Sequence, residues 1–316
     1  MRRATVNESL SGLLLHADAL DLCALVPAAT RFDLVYLDPP YGVGAPMTAR
    51  TTAGEARGRK HKASGPIAYE DGSNIDALVA MLAPRLAALR DRMSDEATLW
   101  LHLDYRAVHD AKVAADRIFG RSAFLGEVAW APGNGARGAR RFSPTHQTIL
   151  LYAREASKRT ATVWNHDDPA LREPFAATSL AMHFGRVDES GRHYRDRTVG
   201  NKTYRYYADE GRRLGSVWTD LPAMSANTPL RKEATGYPTQ KPVTLLERIV
   251  RASSRQGAVV CDPMCGSGTT LVAAARLGRS FIGGDASPLA VETTDKRLRE
   301  AGIAFERLQV GFQPVA

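Results

Sequence analysis

Three cysteines, Cys23, Cys261 and Cys265, are too few for a disulfide framework in 316 residues, and no second Cys or His pair stands at zinc-ligand spacing. All three read as reduced, structural thiols. No apolar run approaches the roughly 20 residues that a membrane helix needs. Met1, Arg2 and Arg3 lead into a polar stretch rather than a signal-peptide core, so a cytoplasmic chain without a membrane partner is expected. Heptad runs and internal repeats are missing too. The length still suffices for one large α/β core and a substantial insertion or second lobe.

Charge is unbalanced only mildly. The 42 Lys and Arg against 34 Asp and Glu leave a formal +8, a weak pointer to a polyanionic partner. Distribution says more than the total. Arg50, Arg57, Arg59, Lys60 and Lys62 crowd one Gly- and Ala-rich segment, and Arg186, Arg192, Arg195, Arg197, Lys202, Arg205, Arg212 and Arg213 crowd another. Solvated surface loops would explain both stretches equally well.

The apolar run at 32–37 (FDLVYL), stopped by Asp38 and two prolines, predicts a buried strand ending in a rigid turn. Residues 43–74 have no apolar period and read as a long mobile loop. An amphipathic helix is expected over 76–93 and a strand through 99–101; another helix near 106–118 and strand near 124–130 follow. The Gly- and Arg-rich stretch from Pro132 to Arg141, with Arg137 and Arg140 inside it, precedes strand-like residues 147–152. Between Ala153 and Thr235 apolar periodicity fades, and Trp164, Tyr194, Tyr204, Tyr206, Tyr207 and Trp218 alternate with Arg and Lys. That composition suits an irregular lobe facing nucleic acid. Helices at 243–254, 269–277 and 287–301 then interleave with strands at 258–261 and 280–283. This alternation implies a mostly parallel sheet covered by helices.

Strand residues ending at Cys261 run into Asp262, Pro263, Met264, Cys265, Gly266, Ser267, Gly268, Thr269 and Thr270, which open a helix. Such a turn suits an anionic or dipolar ligand. Leu271 stands where a dinucleotide fingerprint wants its third glycine, and no Gly-Lys-Ser/Thr triplet follows, which disfavours nicotinamide binding and the phosphate-cradling loop. Asp285, about 20 residues on, is placed to accept both hydroxyls of a ribose; alternatively it caps the helix from 287, a role open to Ser287 as well.

Nearly the whole chain resembles the β-class DNA amino-methyltransferases, which modify adenine N6 or cytosine N4. The resemblance is carried by LHADAL at 15–20, LVYLDPPYGVG at 34–44, LWLHLD at 99–104, IFG at 118–120, RFSPTHQTILLYAR at 141–154, SVWTDLP at 216–222, GYPTQKP at 236–242 and DPMCGSGTT at 262–270. It implies an α/β, Rossmann-like S-adenosylmethionine-dependent methyltransferase sheet with its motifs in circularly permuted order. The catalytic half would span 1–152, an inserted target-recognition region 153–235, and the cofactor-binding half 236–316.

Carried over by residue, Asp38, Pro39, Pro40 and Tyr41 form the catalytic turn. The Asp38 carboxylate and Pro39 carbonyl would each accept a hydrogen of an exocyclic amine, and Tyr41 would stack on a flipped base. Asp262, Met264 (Phe in most relatives), Gly266, Ser267, Gly268 and Thr269 would line the methionine part of S-adenosyl-L-methionine, with Gln240, Lys241 and Pro242 beside its carboxylate. Asp38 would also border it, Asp285 would hold the ribose, and Asp18 with Ala19 would flank the adenine. His146 would lie near the target base, while His102 and Asp104 read as structural. Arg57, Arg59, Lys60, Lys62, Arg137, Arg140 and Arg141 would contact double-stranded DNA. Family habits add a homodimer and a cognate restriction endonuclease as expected partners. Asp at the first position of the turn favours adenine over cytosine, and the absence of any Pro-Cys dipeptide argues against carbon-5 chemistry.

Overall fold

The computed structural model describes residues 12–41, 45–48, 66–72, 74–133, 140, 142–224 and 232–309. Its strands are β1 (Gly12–His16), β2 (Phe32–Leu37), β3 (Ala45–Thr48), β4 (Ile67–Asp71), β5 (Met93–Leu103), β6 (Phe124–Trp130), β7 (Gln147–Ala153) and β8 (Arg172–Glu173). After these come β9 (Arg186–Val187), β10 (His193–Val199), β11 (Lys202–Tyr207), β12 (Arg212–Arg213), β13 (Val217–Trp218), β14 (Val259–Asp262), β15 (Ser280–Asp285) and β16 (Phe305–Gln309). Among the described residues seven α-helices accompany them: α1 (Ala19–Leu25), α2 (Ile75–Arg92), α3 (Val108–Phe119), α4 (Ala177–His183), α5 (Val243–Ser253), α6 (Thr269–Arg276) and α7 (Pro288–Glu300).

Nine strands form one sheet in the order β13-β6-β7-β5-β2-β14-β15-β1-β16. Every neighbouring pair is parallel except those made by β7, which runs antiparallel to both β5 and β6. Side chains of α1, α2 and α3 pack on one face and those of α5, α6 and α7 on the other, giving two cores. The β2 run, apolar except for Asp33, is legible as a central strand because both its faces are covered. In α2, Leu78, Leu82, Leu86 and Leu89 are buried at the spacing of one helix face, Asn74 caps the first turn, and the helix runs through Pro84. Strands β1 and β16, which periodicity does not announce, extend the sheet beyond β15.

Two expectations about irregular segments change. The arms of the long loop, β3 and β4, pair as an antiparallel ribbon, and Ser287 donates to the Ala68 carbonyl at 2.6 Å, which ties β4 to the start of α7. The stretch after Ala153 is not wholly irregular either. Strands β9, β10 and β11 form an antiparallel sheet, whose β10–β11 hairpin turns through Gly200 at φ +60° and Asn201. Gly-Asn between runs rich in Thr, Val and Tyr was the available signal for that two-residue turn. Strand β13 joins the large sheet, and the Asn165 amide donates to the Arg251 and Ser254 carbonyls at 2.7 and 2.9 Å, stitching the segment to the end of α5.

Candidate active site

Parallel strands leave their unsatisfied carboxyl ends along one edge of the sheet, where α/β folds place ligands. Here β1, β2, β14 and β15 end beside Asp18, Asp38, Asp262 and Asp285. All four line one cavity of about 350 Å³, within the roughly 300–1,000 Å³ typical of ligand sites.

The glycine loop forms its floor. Gly266 and Gly268 stand at φ +53° and +72°, which lets the chain turn back into α6. A Cβ on Gly268 would come within 2.7 Å of the Thr294 methyl, so only glycine fits there. Asp262 accepts from the Met264 amide at 3.2 Å, and burial pushes its carboxyl up to about 7. Asp285 bridges the Gly266 amide (2.9 Å) and the Ser287 amide (2.8 Å), and burial raises it to about 6. Since Ser287 is the N-cap of α7, accepting from Ala290, Asp285 is left to face the cavity. Each of its oxygens keeps a lone pair for a hydroxyl.

Lys241 reaches across from the other half of the chain. Its ammonium pairs with Asp38 Oδ2 and lies 3.0 Å from the Tyr41 hydroxyl, which itself donates to Asp38 Oδ1. The Lys241 carbonyl accepts from the Thr269 hydroxyl at 3.1 Å. Thr269 accepts in turn from Arg297 at 2.8 Å, and Arg297 also donates to the Ser267 carbonyl at 3.0 Å. The glycine loop and the Asp38–Tyr41 turn are thus hydrogen-bonded through one residue. Two residues before Lys241, Thr239 has φ +58°, the only non-glycine positive φ among the described residues. A β-branched residue there is strained, as residues at working sites often are.

A second cavity of about 320 Å³ lies on the far side of Thr239, Gln240 and Lys241, which line both. Tyr41, Tyr105, Trp130, His146 and Gln147 contribute to its wall. Behind it, Tyr36 donates to His102 Nδ1 at 2.8 Å and His102 Nε2 lies 2.7 Å from Gln147 Oε1. Burial holds the His102 pKa down at about 3. The ring is therefore neutral, and with the Gln147 oxygen as acceptor its proton sits on Nε2.

Most of the expected site residues converge. Asp38, Pro40, Asp18, Gln240, Lys241, Asp262, Met264, Gly266, Ser267, Thr269 and Asp285 line the first cavity, and Tyr41 and His146 the second. Others stand apart. Ala19 is buried in α1, Pro39, Gly268 and Pro242 line neither cavity, and Arg140 is exposed. The Gln240 amide is turned to the Thr235 amide and hydroxyl and the Glu233 carbonyl, bracing the strap 233–241. Asp18 caps α1 and pairs with Arg85 at 2.7 Å. Arg57, Arg59, Lys60, Lys62, Arg137 and Arg141 lie outside the described residues. Sequence reasoning missed Tyr69, Arg85 and Tyr237 in the first cavity and Arg297 beneath it. Tyr237 packs on Gly266 and stands in a quoted motif; Tyr69 and Arg297 carry no local signal.

The DNA methylase family model matches residues 32–296. Type II methyltransferase M.EcaI of Enterobacter cloacae is 26% identical, over 89% of this chain and 67% of its own length. DNA adenine methyltransferase YhdJ of Escherichia coli K12 is 25% identical, over 85% and 76%. The S-adenosyl-L-methionine complex of a DNA modification methylase from Thermus thermophilus superimposes with a TM-score of 0.56 at 18% identity, covering 96% of this chain and all of that one. With a family match spanning both the Asp38–Tyr41 turn and the glycine loop, this chain belongs to the N6/N4 DNA methylases.

Proposed function

We propose that the protein transfers a methyl group from S-adenosyl-L-methionine to adenine N6 of a base flipped out of duplex DNA. The observation that carries this is the wall between the two cavities, where Asp38, Tyr41 and Lys241 meet. The first cavity fits the cofactor: carboxylates border a site for a cationic ligand, Asp285 keeps acceptors for a ribose, and the glycine loop lines the remainder. When bound, the cofactor supplies an electrophilic sulfonium methyl. The related adenine methyltransferase YhdJ supports the choice of adenine, as does aspartate at position 38.

An exocyclic amine is a poor nucleophile because its lone pair is delocalised into the ring. Asp38 and the Pro39 carbonyl each accept one amino hydrogen and so favour the tetrahedral nitrogen that attack requires. Lys241 and Tyr41 hold the Asp38 carboxylate in place, and each oxygen keeps a lone pair for the amine. The second cavity receives the base, with Tyr41 as a flat face and His146 at the rim. The cognate-endonuclease partner, the homodimer and the cytoplasmic setting belong to the same reading.

Incubation with methyl-labelled cofactor and mixed-sequence DNA, followed by nucleoside mass analysis, tests it. N6-methyl-2′-deoxyadenosine is the expected product; N4-methyl-2′-deoxycytidine moves the assignment to cytosine, and no methylated nucleoside refutes the reading. Asp38→Ala should abolish the product while duplex binding persists.

A further inference from the structure

The basic stretch from Arg186 to Arg213 reads in sequence as one patch, but the fold divides it. Arg205 and Arg186 both bind Asp196, at 2.9 and 3.3 Å. Arg192 holds Asp209 and Glu210 at 2.8 and 3.0 Å, and Arg212 holds Glu173 at 2.9 Å. Arg192 and Arg205 also lie over the rings of Tyr207 and Tyr194, each 3.8 Å from the centroid. These cations are already neutralised within the protein.

Strand alternation sorts the β10–β11 hairpin into two faces. Tyr194, Asp196 and Thr198, opposite Tyr207, Arg205 and Thr203, form the neutralised face. Arg195, Arg197 and Val199, opposite Tyr206, Tyr204 and Lys202, form the other, which carries no acidic residue. At its base Arg195 packs among Phe175, Phe184 and Tyr206. Toward the turn, Arg197 and Lys202 are exposed and have no ion pair or hydrogen bond among the described residues. Val199 and Tyr204 are exposed beside them, at 55% and 46%.

We propose that this second face of the hairpin is the sequence-reading surface, entering the DNA major groove with Arg197 at a base edge and Lys202 at a phosphate. The proposal rests on the reading of duplex DNA as substrate. A two-stranded ribbon fits a groove roughly 12 Å wide, and strands about 20 Å long suffice to carry the turn end to the floor of a groove roughly 8.5 Å deep. The planar Arg197 fork matches the O6 and N7 acceptors of guanine, whereas Lys202, a point charge on a flexible stem beside the turn, suits a phosphate. Val199 offers apolar contact for a thymine methyl. The opposite face lacks this capacity because its charges are spent on one another.

The test compares Arg197→Ala, Lys202→Ala and their double variant with Thr198→Ala/Thr203→Ala on the neutralised face. Binding to fluorescent random-sequence duplexes is read by anisotropy between about 50 and 200 mM salt, and the sequence context of methylated sites by sequencing. Lys202→Ala should weaken binding to all sequences and lower the salt slope by about 1. Arg197→Ala should cut methylation of the preferred site by about 5- to 150-fold and relax one position. The opposite-face variant should stay within about twofold, with all melting temperatures near wild type. Wild-type binding and context in the double variant would overturn the proposal. Because anisotropy needs no turnover, a chain that binds through this face yet methylates nothing would refute only the catalytic reading.

Discussion

Lys241→Met tests the coupling of Asp38 to the strap most directly. The two side chains are only 8% and 17% exposed, so the pair is largely removed from water. Breaking a buried pair leaves an uncompensated charge at a cost of about 3–5 kcal/mol, whereas removing both partners is often close to neutral. The cavity admits solvent and Tyr41 still donates to Asp38, which puts the cost of Lys241→Met near the lower end, about 3 kcal/mol. Asp38→Asn/Lys241→Met should therefore recover about 2 kcal/mol of that loss. Urea unfolding of wild type, both single variants and the double variant closes the cycle. Strictly additive losses would show that the ion pair does not hold the strap against the catalytic turn. The double variant should remain inactive, which separates stability from chemistry.

Arg297→Met removes the donor that aligns Ser267 and Thr269; the KM for cofactor should rise by about 10- to 100-fold with little change in kcat, and initial rates showing an unchanged KM would rule that alignment out. Gly268→Ala forces a positive φ on alanine and a methyl against Thr294, so a loss of at least about 2 kcal/mol and of cofactor binding is expected by urea titration and calorimetry. Burial raises Asp262 to about 7 and Asp285 to about 6, above the unfolded value near 3.9. The folded chain thus keeps protons that the unfolded chain loses, so this stability is full below about pH 4 and is lost as pH rises through 6 to 7. Urea midpoints of the cofactor-free protein should fall across that window, and Asp262→Asn should flatten the upper part; an unchanged profile would count against the buried carboxyl.

Local chemistry determined much of this protein. A central strand covered on both faces is mostly apolar, so β2, polar only at Asp33, and its Asp-Pro-Pro stop are visible at 32–40. Glycines at positive φ before a helix likewise mark the loop at 266–268. Short pairings such as β3 with β4 and the addition of β13 to the sheet depend on partners far away in the chain and leave no period to read. The hairpin at 193–207 had a turn signal in Gly200-Asn201, masked by its charged strands. Tertiary structure alone decided which charges are available. Lys241 stands beside Gln240 in one motif, yet its ammonium crosses to Asp38, 203 residues away. Of the cations in the lobe, those near a carboxylate are neutralised, while Arg197 and Lys202 keep their charge for a partner. Sequence spacing specifies which groups a segment carries; electrostatic pairing depends on distance in space, which only the folded chain sets.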